Sequence, residues 1–164
     1  MAETPEGKVK VNVDASFDES RGCRSVGTII RNSMGAAIAA SHSYVPHLVD
    51  APMAEAYALK EGLMLVQFIG FNRLIVQSDC MEVVETMKDG GFSTTSAASL
   101  YGECKIIWSG FQEISIEHCN RDANQGAHEL ARRVMQPKQN CTCDDESPRF
   151  ILNFLINDVT TLNE

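Results

Sequence analysis

From Lys8 to Asp14 the chain alternates strictly, with Val9, Val11 and Val13 on one side and Lys10, Asn12 and Asp14 on the other. A period of two belongs to a strand with one apolar face, so this segment predicts a first strand that ends at Asp14. Extended segments over Ser25 to Arg31 and Ala36 to Tyr44 follow, joined by Asn32 to Gly35, whose Asn and Gly suit a hairpin turn. These strands predict an antiparallel meander. The period then changes to three and four: Ala56, Leu59, Leu63 and Val66 recur at helical steps, Asp50 is placed to cap that helix, and Pro52 fits its first turn. Glu55 falls in the first turn, and the helix stops near Gly70.

Beyond it, Leu74 to Val76 is a short continuous apolar run, the pattern of a strand covered on both faces, with Asp79 just past its end. Helices are predicted from about Cys80 to Lys88 and from Ala97 to Trp108, separated by Gly90 and Gly91. Ile114 to Ile116 supplies a last strand. A final helix is expected after Asp122, with Asp122 as cap and Gln125 reciprocating, Ala127, Leu130, Ala131 and Val134 as its buried stripe, and Pro137 as its stop.

This order predicts an α/β domain: a mixed sheet of five strands, the antiparallel meander plus parallel strands, flanked by helices. Its expected limits are residues 8–136, after a flexible leader at 1–7. Residues 137–148 read as an acidic polar linker, and 149–164 as an apolar C-terminal segment that docks on the domain or binds a partner.

Length and composition fit one domain with a real core, at 164 residues and 44% hydrophobic. No run approaches the roughly 18 to 20 apolar residues of a membrane span, so no membrane association is expected and an intracellular setting is, cytoplasmic or nuclear. The six cysteines are irregularly spaced and read as free thiols; Cys141 and Cys143 sit in the polar linker. A net charge of −8 counts against nonspecific attraction to nucleic acid, although acids that ligate cations do not face a substrate as bare charge. Lys105, Arg132 and Arg133 are scattered and form no evident phosphate clamp.

Asp14 and Asp79 each lie at the carboxyl end of a predicted strand, where open α/β sheets hold their ligands. With Glu55 entering from the helix, these acids can meet around Mg²⁺ or Mn²⁺, two such ions about 4 Å apart being suited to phosphodiester hydrolysis. Pattern alone leaves ordinary roles open: a turn for Asp14, a helix N-terminus for Glu55 and a helix cap for Asp79.

Four blocks bear on that choice. Lys10-Val-Asn-Val-Asp14-Ala-Ser16-Phe17, Ala54-Glu55 through Leu63, Val76-Gln-Ser-Asp79, and Arg121-Asp-Ala-Asn124-Gln-Gly-Ala-His128-Glu-Leu-Ala131 resemble, in order, the ribonuclease H-like superfamily. They look closest to its plant reverse-transcriptase-associated branch, over roughly residues 8 to 135. The resemblance implies a ribonuclease H-like fold and a divalent-metal-dependent endonuclease that cuts the RNA strand of an RNA/DNA hybrid. It implies Asp14, Glu55, Asp79 and His128 as catalytic residues and ligands of two Mg²⁺ or Mn²⁺ ions, and Ala15, Ser16 and Asn124 as substrate contacts.

The departures carry expectations of their own. His128 stands where the superfamily's archetype has Asp; imidazole is neutral and softer, which favours Mn²⁺ over Mg²⁺ and predicts weak activity, while the alternative role is a hydrogen-bonded helix residue. Ala15 replaces a usual glycine, and Ala51, Pro52 and Met53 replace polar residues that read the 2′-hydroxyl. His118 is expected to be structural. The competing expectation is a catalytically degenerate domain that acts as a protein-interaction module through the apolar C-terminal segment; a DNA-directed nuclease would need a further carboxylate.

Overall fold

The alternating segment forms β1 (Val9–Asp18), at the centre of everything that follows. After a short 3-10 turn come β2 (Cys23–Arg31) and β3 (Ala37–Tyr44), then α1 (Ala51–Ile69) and β4 (Arg73–Ser78). The chain continues through α2 (Met81–Lys88), α3 (Ala98–Trp108), β5 (Glu113–His118) and α4 (Gln125–Met135), and a two-residue strand β6 (Ile151–Leu152). The structure, a computed structural model, describes residues 6–21, 23–135 and 151–152.

The sheet has the order β5-β4-β1-β2-β3-β6. β1, β2 and β3 are the antiparallel meander, while β4 runs parallel to β1 and β5 parallel to β4. All five strands read from the pattern are present, as a mixed sheet flanked by helices. β6 adds an antiparallel pair at the β3 edge, Ala40 opposite Leu152. Most of the expected leader, and the linker and C-terminal segment apart from Ile151–Leu152, lie outside the described residues.

β1 is longer than its alternation suggested, because its two neighbours stop at different places. β2 stays paired with it to Asp18, opposite Cys23, whereas the β4 ladder ends where Asn12 meets Gln77. Asp14 is therefore not the last residue of its strand; it lies beyond the end of β4 on one side while still paired with Gly27 on the other.

The two faces of the sheet are packed differently. Val9, Val11 and Val13 belong to the main core with Leu59, Leu63 and Val66 of α1. Gly62 makes that approach possible: a Cβ there would stand 2.5 Å from Val13 Cγ1, closer than carbon atoms can come. On the opposite face α4 crosses β2 over a small cluster of Ile29 and Ala40, and a Cβ on Gly126 would stand 2.6 Å from Ile29 Cδ1. A polar attachment also holds α4 to the sheet, Ser25 Oγ donating to the Ala131 carbonyl at 2.6 Å.

The termini of α1 are as expected. Asp50 Oδ1 accepts from the Met53 amide at 2.9 Å, and Gly70 closes the helix at φ +89°. The start of α4 is not. The helix opens at Gln125 rather than just after Asp122, because Asn120 Oδ1 takes the Ala123 amide at 2.8 Å and forms a separate turn over 121–124. Among the described residues Cys80, Cys104 and Cys119 are free thiols, and no helix is long and apolar enough to cross a membrane.

Candidate active site

Beside the middle of β1, where β4 ends, several side chains from distant parts of the chain face one another. Asp14 is 3% exposed, and strand alternation puts it on the α4 side of the sheet together with Asn12. Asp79 follows the last residue of β4, and its loop is held by Ser78, whose Oγ accepts from the Cys80 amide and whose carbonyl accepts from the Cys119 amide. Glu55 comes from α1, just past its first turn rather than within it.

The acids sense one another strongly. Burial, then the charges of Asp14 and Asp79, push the Glu55 carboxyl up to about 9, against smaller relief from the Ala15 amide and Arg121. Burial and the charge of Asp79 raise Asp14 to about 6, while a hydrogen bond and charge from His128 pull the other way. Burial is the larger cause of both shifts, and the charge of the neighbouring acids adds to it. Among the described residues no three His, Cys, Asp or Glu side chains are already drawn around a single point as a ligand cage. The carboxylates share one electrostatic environment, and His128 rather than another acid occupies one oxygen of Asp14.

His128, in the first turn of α4, places Nδ1 2.7 Å from Asp14 Oδ2 with its ring about half exposed. Asn124 sits at the turn before the helix and is 1% exposed. Its Nδ2 donates to the Val13 carbonyl at 2.9 Å and lies 3.5 Å from Asp79 Oδ1. Expected as a substrate contact, Asn124 instead spends its amide inside the protein. Ala15 serves through its backbone amide, which lowers the proton affinity of both the Asp14 and the Glu55 carboxyl. Ser16 follows on the Asp14 side of β1, partly exposed. His118 closes β5, with Nε2 3.2 Å from the Asp79 carbonyl.

Two residues that pattern reading had not singled out belong here. Arg121 is 92% exposed, and its Nε stands 3.8 Å from Asp79 Oδ2. Asn12 is buried and donates from Nδ2 to Gln77 Oε1 and to Asn124 Oδ1, each at 3.2 Å. Asn is disfavoured inside strands, and that was the signal available for Asn12. The donor set of hard carboxylate oxygens with unmet negative charge fits a divalent cation such as Mg²⁺ or Mn²⁺.

The sequence profile of the family described as reverse transcriptase-like matches residues 12–134, which contain every residue just named. The chain belongs to that family. Among solved structures it is similar to RNase H1 of the halophilic archaeon Halobacterium salinarum, at 20% identity and a TM-score of 0.72, over 78% of this chain and 97% of that one. The N-terminal RNase H domain of a Mycobacterium tuberculosis protein aligns at 24% identity with a TM-score of 0.72, covering 78% and 93% of the two chains. LC11-RNase H1, solved in complex with an RNA/DNA hybrid, aligns at 18% identity with a TM-score of 0.68, covering 76% and 94%. At these identities the likeness establishes the RNase H fold. No functionally curated protein matches the sequence.

Proposed function

We propose that this domain is a divalent-metal-dependent ribonuclease of the RNase H type, which cuts the RNA strand of RNA/DNA hybrids. The observation that carries the reading is the gathering of Asp14, Glu55 and Asp79 beside the end of β4, where burial first, and then repulsion from Asp14 and Asp79, raises Glu55 to about 9. Evolution has little reason to accumulate such repulsion unless a cation relieves it. Membership of the reverse transcriptase-like family and the hybrid-bound LC11-RNase H1 of the same fold support the choice of substrate. The Ala-His-x-Leu-Ala sequence around His128 supports placing the chain in the plant-like branch of the superfamily.

In this reading Asp14, Glu55 and Asp79 hold the metal, and His128 contributes beside Asp14. Divalent ions held there would supply Lewis-acid stabilisation of the charge that develops in phosphodiester hydrolysis. The chain's own contributions are more modest. The Ala15 amide orients the Asp14 and Glu55 carboxylates, and Arg121 offers an exposed cation at the mouth of the site where a phosphate would approach. Arg121 also softens the objection raised by the overall charge of −8, since local charge at the site matters more than the total. The interaction-module alternative has no observation of its own in the described residues.

A labelled RNA/DNA hybrid incubated with the protein and Mn²⁺ tests the proposal. Wild type should release RNA fragments, and Asp14→Asn should be slower by at least about a hundredfold, the loss of several kcal/mol of charge stabilisation. An intact hybrid, or equal rates for the two proteins, would exclude it.

A further inference from the structure

Asn12 lies at mid-strand in β1 and is only 5% exposed, yet its amino group has two partners. Nδ2 donates to Gln77 Oε1 on β4 and to Asn124 Oδ1, each at 3.2 Å. Asn124, 1% exposed, passes the polarity on, with Nδ2 at 2.9 Å from the Val13 carbonyl and at 3.5 Å from Asp79 Oδ1. An asparagine amide changes little in shape when its oxygen and nitrogen exchange places, so its partners decide which way it points. Because Asn12 presents a donor, Asn124 turns its oxygen to Asn12 and its amino group to Val13 and Asp79.

We propose that Asn12 is a positioning residue, which sets the Asn124 amide and through it the Asp79 carboxylate for cation binding. The consequence for metal rests on the function proposed above, whereas the relay is built into the metal-free fold. Its place explains why it is needed. Asp79 lies past the end of β4, outside the β1–β4 ladder that stops at Asn12 and Gln77, so side chains rather than backbone pairing tie it to β1. The Asn12-Asn124 contact bridges that gap and also secures the turn leading into α4, which carries His128. Partners of metal ligands in such places typically govern affinity by about 10- to 100-fold.

Asn12→Leu keeps the branched shape of the side chain, with bulkier groups, and removes its donor; Asn12→Ala serves if the leucine variant does not melt cooperatively. In the folded variant the Asn124 side-chain amide resonances should shift without metal, and the Mn²⁺ dissociation constant from calorimetry should rise about tenfold. In an Asn124→Ala background, Asn12→Leu should cost less than about a further twofold, because the relay is already broken. A merely structural Asn12 would lower the melting temperature, leave Mn²⁺ affinity within twofold of wild type, and overturn the proposal. So would fully additive losses in the double variant. Unshifted Asn124 resonances with normal wild-type Mn²⁺ binding would sink the relay alone, while a wild type that binds no Mn²⁺ would sink the metal reading and this consequence with it.

Discussion

Asp14 Oδ2 and His128 Nδ1 are 2.7 Å apart, a contact that spans the sheet-to-helix boundary and joins the most buried acid of the site to the exposed first turn of α4. His128 holds the proton affinity of Asp14 down, against burial and the charge of Asp79. In His128→Ala the Asp14 carboxyl should therefore titrate above the wild-type value of about 6, as read from its ¹³C resonance in metal-free protein. An unchanged midpoint would mean that the two groups do not interact in solution.

The same position tests metal choice. His128→Asp replaces a softer imidazole nitrogen by a hard oxygen anion, so Mg²⁺ affinity should rise relative to Mn²⁺. In metal-free protein the variant adds a further negative charge to the cluster and should melt at a lower temperature. Competition titrations with both ions read the first effect, and thermal melts in chelator the second.

Stability should fall as pH rises in the absence of divalent ions. Glu55 and Asp14 have folded-state values of about 9 and about 6, above their ordinary 4.5 and 3.8, so the native state keeps protons that the unfolded chain releases. Their contribution is fully present below about pH 4 and is lost through pH 6 for Asp14 and through pH 9 for Glu55. The limiting slope is about 1.4 kcal/mol per pH unit for each group. Urea unfolding between pH 5 and 9 should show this decline, and Glu55→Gln should remove most of it above pH 6. A flat profile for wild type would contradict the electrostatics described here.

Much of this architecture can be read from periodicity. The valine alternation of β1, the helical steps from Ala56 to Val66 and the apolar run at Leu74–Val76 each name an element, because burial imposes the period. Boundaries that depend on partners are less visible. β1 runs on to Asp18 only because β2 accompanies it, and α4 begins at Gln125 because the Asn120 side chain organises its own turn. At the site, Asp14, Glu55 and Asp79 can be picked out as acids at strand and helix ends, supported by four family blocks. That Asn124 faces inward, and that Asn12 supports it, depends on contacts more than a hundred residues apart in the chain, which no local pattern encodes.

Close packing of α1 on β1 gives a separate test of the fold. Gly62→Ala would drive a methyl group into Val13 Cγ1 and should destabilise the protein by about 1 to 3 kcal/mol. Denaturant midpoints measure this directly; a change within about 0.5 kcal/mol would show that α1 sits further from the sheet.

Calorimetric titration with Mn²⁺ near neutral pH, comparing wild type with Asp79→Asn, addresses the central claim before any substrate is chosen. Saturable binding to wild type, weakened at least about tenfold in the variant, is the predicted result. No binding to wild type, or equal affinity in both proteins, would contradict a cation site built from Asp14, Glu55 and Asp79.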